Sequence, residues 1–102
     1  MTRERLENRR PSELFEVESL KLPFTVSVSK YSDGRLAEIF INNHKAGSAA
    51  GIMASDLAVV CSIALQHGVP VEVIRKALAR DSQGNATSPL GVALDLLLGG
   101  ES

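Results

Sequence analysis

From Phe24 to Ser29 the chain alternates apolar and hydroxyl side chains without interruption, Phe-Thr-Val-Ser-Val-Ser. A period of two is the signature of a β-strand with one face covered, because successive strand side chains point to opposite sides of the sheet. It assigns Phe24, Val26 and Val28 to a buried face and Thr25, Ser27 and Ser29 to an exposed one. A short run of β-branched and aromatic residues, Leu14 to Leu20, precedes it across Lys21-Leu22-Pro23. Tyr31-Ser32-Asp33-Gly34 follows, and Asp-Gly between two strand patterns signals a hairpin, since glycine accepts the positive φ that the turn requires. A third strand is expected from Arg35 to Asn42. The first half therefore reads as a three-stranded antiparallel meander covered on one face.

At Asn42-Asn43-His44-Lys45-Ala46-Gly47-Ser48 the period changes, and the rest of the chain is helical in pattern. In the first helix Ile52, Met53, Leu57, Val59, Val60, Ile63, Ala64 and Leu65 cover too much of the circumference for a surface element, so it should lie between the sheet and something else. His67-Gly68 supplies a left-handed stop. Pro70 opens a second helix with Glu72 in its first turn, a buried stripe of Val71, Ile74 and Leu78, and Arg75, Lys76 and Arg80 toward its end, as the helix dipole favours. After a polar loop, Ser88-Pro89 reads as N-cap and first residue of a short helix ending at Gly99-Gly100. The expected fold is α+β, a three-stranded antiparallel β-meander followed by two to three α-helices packed on one face. Residues 1–12 are expected to form a flexible basic arm, residues 13–98 a single domain, and residues 99–102 a tail.

Composition narrows the functional classes. With 102 residues, 44% of them hydrophobic, the chain can build one core and not two. Eleven basic against twelve acidic residues give a formal net charge of −1, so no global field draws in nucleic acid or an anionic membrane. Cys61 is the chain's one cysteine, which rules out an internal disulfide and a paired-cysteine metal site and fits a reducing cytoplasm. Met1 to Arg10 lacks the apolar stretch of a signal peptide, and the apolar-rich run from Gly51 to Leu65 is broken by Ser55, Asp56 and Ser62 and falls short of the ~20 residues of a membrane span. No membrane association is expected.

No residue is nominated as catalytic. Cys61 lies in the middle of an apolar helix, where burial raises a thiol pKa and leaves it inert. His44 and His67 have no carboxylate or cysteine at ligand spacing, so no metal site is assigned, and His67 is read as a helix C-terminal residue. Lys45, Gly47 and Ser48 form the candidate ligand site: free N–H groups, a small residue and a hydroxyl at a loop-to-helix junction could hold a phosphate. The spacing is not that of a P-loop, and the simpler reading is that Ser48 caps the helix and Gly47 supplies a turn. Arg3, Arg5, Arg9 and Arg10 on the arm, with Arg75, Lys76 and Arg80, are the candidate contacts to nucleic acid or an acidic partner, although no aromatic residue is interleaved for stacking.

The order of features carries a family resemblance. Tyr31-Ser32-Asp33-Gly34, Glu38-Ile39-Phe40-Ile41, Lys45-Ala46-Gly47-Ser48 and Ser62-Ile63-Ala64-Leu65-Gln66-His67-Gly68-Val69-Pro70 together resemble a segment near the C-terminus of the adenosylcobalamin-dependent ribonucleotide reductases. Arg5-Leu6 and Arg9-Arg10 are similar to its basic lead-in. Small proteins of this type are grouped as TSCPD domains, after a Thr-Ser-Cys-Pro-Asp motif, and Thr87-Ser88-Pro89-Leu90 is the nearest stretch here, without the cysteine or the aspartate. The reductases of that family need a thiyl-forming cysteine, a pair of reducing cysteines, a cobalamin site and a large barrel. The resemblance implies a non-catalytic accessory, regulatory or interaction domain without a cofactor of its own that binds a protein or a nucleotide, and the apolar surface of so hydrophobic a helical half adds the expectation of a homodimer. Two alternatives stand beside it: a nucleotide or nucleic-acid binding module using the arm and residues 45–48, and a component that complements a separate ribonucleoside-diphosphate reductase chain in trans.

Overall fold

The computed structural model describes residues 3–4, 12–43 and 47–99. Three antiparallel strands, β1 (Ser12–Ser19), β2 (Leu22–Lys30) and β3 (Leu36–Asn43), lie in the order β1-β2-β3 and are followed by α1 (Ala49–Gln66), α2 (Val71–Ala77) and α3 (Pro89–Leu98). The α+β expectation holds, with three helices. The register places Phe15, Val26 and Ile41 in one row across the sheet and Val17 beside Phe24 in the next. These side chains, with Val28 and Ile39, make the covered face on which Leu90, Ala93 and Leu94 of α3 close the core.

Two details of the meander differ from the sequence reading. The first turn is Leu20-Lys21, not Lys21-Leu22-Pro23, and both residues are left-handed, at φ 57° and 62°. A two-residue hairpin turn demands that conformation, and neither residue is the glycine or asparagine that would announce it. Ser29 is buried rather than exposed, at the end of the regular β2–β3 pairing, where the register shifts between Ser29 and Lys30. The second turn is as expected, with Gly34 at φ 95° and the Asp33 carboxylate accepting from the backbone N–H of Arg35.

Helix α1 runs along the outer edge of β3. The Ser62 hydroxyl accepts from Ile39 N–H and donates to Ile39 C=O, each at 2.9 Å, and one turn later the Gln66 amide donates to Ala37 C=O at 3.0 Å. Polar side chains spaced i, i+4 thus occupy edge groups that an exposed strand would offer to another chain. Ala54 and Ala58, nearly bare backbone, allow the close approach.

Ser48 caps α1 by accepting from Gly51 N–H at 3.1 Å. At the other end His67 is the C-cap, Gly68 is left-handed at φ 95°, and Gly68 and Val69 N–H return to Leu65 and Ala64 carbonyls, the double bond of a Schellman stop. Ser88 caps α3 through Gly91 N–H, with Pro89 in its first turn, as the sequence pattern predicts. The second helix is shorter than expected: Pro70 is its N-cap rather than its first residue, and it ends at Ala77. Arg80 therefore lies beyond the helix, in a bridge with Ala86 that closes the connecting loop.

Candidate functional site

The residues nominated from the sequence fall into separate places. Gly47 and Ser48 lead into α1, Gly47 at φ 79°. Gly47 borders an open cavity of about 410 Å³ lined also by Asn42, Asn43, Gly51, Ile52, Ser55 and Asp56. The Ser48 hydroxyl is already used on Gly51 N–H, and Asp56 brings a carboxylate to the wall, a neighbour that opposes a phosphate. Gly51 is fixed by closeness: a Cβ there would meet Ser48 Oγ at 2.9 Å and Asn43 Cβ at 3.1 Å. Lys45 lies outside the described residues, as do Arg5, Arg9 and Arg10.

At the opposite end of α1, about 27 Å away for an 18-residue helix, Arg3 and Glu4 are held against the body. Glu4 N–H donates to Gln66 C=O at 2.8 Å, Arg3 Nε donates to Gln66 Oε1, and Arg35 pairs with Glu4 at 3.2 Å while its guanidinium stacks over the Tyr31 ring. The arm expected to be flexible is thus tied down at these two residues, and Gln66, buried, joins arm, helix and β3. Beside this knot a cleft of about 350 Å³ runs between Arg35-Leu36, Leu65 and the Gly68-Val69-Pro70 link into α2. Its rim charges, Arg35 and Glu72, already have ion-pair partners in Asp33, Glu4 and Arg75.

Arg75 and Arg80 converge, but on a partner inside the chain. Arg75 Nε reaches Asp95 Oδ1 at 2.8 Å, and Arg80 grips both Asp95 oxygens at 2.7 and 2.8 Å. The hydrogen bonds from Arg80, reinforced by those from Arg75, hold the Asp95 carboxyl well below the usual carboxylate range. Lys76 is exposed on the same helix. Sequence reasoning missed Asp95, although it is the one charged residue in Pro-Leu-Gly-Val-Ala-Leu-Asp-Leu-Leu-Leu, and a lone acid in an apolar helix is a signal that a cation faces it. The polar loop is knitted as well: Asp81 Oδ1 accepts from Gln83 and Asn85 N–H, and Thr87 N–H returns to Ala79 C=O.

Cys61 is buried in α1, and burial pushes its thiol up to about 11, so it is a thiol and not a thiolate at neutral pH. Among the described residues no group of three or more His, Cys, Asp or Glu converges as a metal site.

The residues that carried the resemblance have structural work in this geometry. Ile39 and Ile41 fill the core, Ser62 and Gln66 cover the β3 edge, His67-Gly68 stops α1, and Ser88-Pro89 starts α3. The family model described as the TSCPD domain matches residues 4–96. A vitamin B12-dependent ribonucleotide reductase of Agrobacterium fabrum is 37% identical over 70 residues, 69% of this chain and 6% of that protein. Proteins of the same name from Bradyrhizobium diazoefficiens, 46% identical over 43 residues, and Rhodopirellula baltica, 47% over 47, match 42% and 46% of this chain and 3% and 4% of their own length. The chain thus corresponds to a small fraction of these curated relatives. No solved structure matches it.

Proposed function

The chain belongs to the TSCPD domain family, and from that premise we propose that it works in the cytoplasm as a non-catalytic accessory or regulatory module of ribonucleotide reductase-related systems, binding another protein rather than turning over substrate. The observation that carries this reading is the state of its one thiol: reductase radical chemistry needs accessible cysteines, and Cys61 is sealed inside α1 with its pKa raised. The placement of the resemblance residues supports it, since they hold the fold together instead of meeting at a reactive centre. The test is to assay the purified chain with adenosylcobalamin, a dithiol reductant and ribonucleoside diphosphates, alone and added to a vitamin B12-dependent reductase lacking the matching segment. The expected result is no turnover alone and a change in the truncated reductase's activity on addition. Turnover by the chain alone, abolished by Cys61→Ala, would overturn the proposal.

A second reading, a nucleotide-binding module, draws on the cavity at Gly47. It predicts a saturable rise in melting temperature with nucleoside di- or triphosphates that Ser48→Ala, beyond its own capping cost, reduces.

A further inference from the structure

Helix α1 has seven exposed positions, 49, 52, 53, 56, 59, 60 and 63. They recur with the three-and-four spacing of a helix-packing seam over two heptads, and a side of a helix so patterned fits another helix. Met53 is 72% exposed, Val60 62% and Ile52 53%, with Val59 and Ile63 about two-fifths exposed. The fractions correspond to on the order of 450 Å² of apolar surface, as large as the biggest patch that a monomer ordinarily leaves in water. Two copies of the patch amount to about 900 Å², close to the ~1,000 Å² at which specific interfaces begin, and the rim residues supply the difference.

From this geometry we infer that α1 packs against α1 of a second copy of the chain, antiparallel and crossing at Val60. The inference rests on reading the chain as an interaction module and names its partner. A two-fold contact must be self-complementary, and charge permits this one. Asp56 is the only charged residue in the helix. A crossing at Val60 sets the two Asp56 carboxylates about 12 Å apart along the axis, whereas a crossing at Asp56 would bring them face to face. Pairing through β3 is disfavoured because Ser62 and Gln66 already occupy its edge at Ile39 and Ala37. By length and composition alone α1 is apolar enough to cross a membrane. Its inner side is nevertheless bonded to β3, and the helix carries no lysine or arginine to meet anionic headgroups.

The experiment is sedimentation velocity on the full chain from low to high micromolar concentration, with Val60→Glu, and with Leu14→Glu on the open sheet face as the control. The expected result is a concentration-dependent dimer whose dissociation constant Val60→Glu raises at least about tenfold, by setting two carboxylates against each other at the crossing, while Leu14→Glu leaves it unchanged. Val60→Cys should also form a disulfide-linked dimer under mild oxidation. A chain monomeric throughout overturns the inference, as does a dimer lost in Leu14→Glu and kept in Val60→Glu. A monomer that binds the truncated reductase through Val60, or that floats with phosphatidylcholine vesicles, likewise overturns self-pairing; the first of these results leaves the accessory-module reading standing, so the two failures are distinguishable.

Discussion

Along α1 the inner side is built from Ala54, Ala58, Cys61, Ser62, Leu65 and Gln66, while the outer side carries Ile52, Met53, Val59, Val60 and Ile63 around Asp56. The buried side is thus the smaller and more polar of the two, the inverse of an ordinary surface helix. The reason lies in what each side meets. The inner one abuts backbone, the edge of β3, where small residues permit approach and a hydroxyl and an amide serve as hydrogen-bond partners. The outer one is left largely open, from two-fifths exposed at Ile63 to 72% at Met53. What separates the sides is therefore fit and hydrogen bonding, and hydrophobicity alone does not show which of them faces the sheet.

The strongest way to break this comparison is to enlarge the inner side. Ala58 is fully buried, so Ala58→Leu has to push α1 off β3 and should cost about 3 kcal/mol, read as a lower denaturation midpoint at unchanged slope. Enlarging the outer side, by the one added methylene of Val60→Leu, should be close to neutral in dilute solution. Equal costs at the two positions would mean that the sides are not as different as the geometry states.

Next in size is Ser62→Ala. It removes little volume and leaves the N–H and C=O of buried Ile39 without their partner, at a cost of about 2 kcal/mol. Amide exchange should show the effect at Ile39 before the rest of β3. Protection unchanged at Ile39 would show that the edge does not depend on the hydroxyl.

Much of this fold is legible in the sequence, and the parts that are not share a cause. Phe24, Val26 and Val28, the Asp33-Gly34 turn, the Ser48 and Ser88 caps and the His67-Gly68 stop are written in local patterns, because the physics that fixes them is local. The Leu20-Lys21 turn is not, since two ordinary residues are held left-handed by the pairing of the strands they join. Ser29 is buried against its place in the period of two, beside a register shift that the pattern does not contain. The apolar coverage of α1 leads to the expectation that both its sides are covered, yet among the described residues Ile52, Met53, Val59, Val60 and Ile63 stay exposed, because α1 lies at the edge of the sheet and no other described element lies over that side. Of the candidate site residues, Gly47 borders a cavity, Ser48 caps α1, Arg3, Arg75 and Arg80 are engaged within the chain, and which cations face Asp95 shows only once α2 and α3 are side by side.

Helix α3 repeats the lesson on a smaller scale, with its one polar anchor fixed by neighbours rather than by water. Asp95→Asn should cost about 1 kcal/mol near neutral pH, less than Ser62→Ala because both arginines can turn partly to solvent. The sign of the pH dependence follows from the direction of the shift. The folded Asp95 carboxyl sits below its unfolded value, so its contribution is present above the usual carboxylate range near pH ~4 and is lost as pH falls below it toward the folded value. Acid denaturation profiles of the two proteins should therefore converge at low pH. Parallel profiles would place the acid sensitivity elsewhere.

The smallest expected effect is also the one that most sharpens the contrast between the sides of α1. Val59→Thr exchanges a methyl for a hydroxyl of similar size on the outer side, and for the dilute monomer it should change stability by less than about 0.5 kcal/mol. Its effect should appear instead in the dependence of melting temperature on protein concentration. A dimer that only the folded chain can form raises the melting temperature with concentration, and a hydroxyl buried at the seam without a partner flattens that rise. The inner side should behave oppositely: Ser62→Ala lowers the melting temperature at every concentration and leaves the slope alone. A slope that responds to Ser62 and not to Val59 would invert the assignment of the two sides and send the search for the partner surface away from α1.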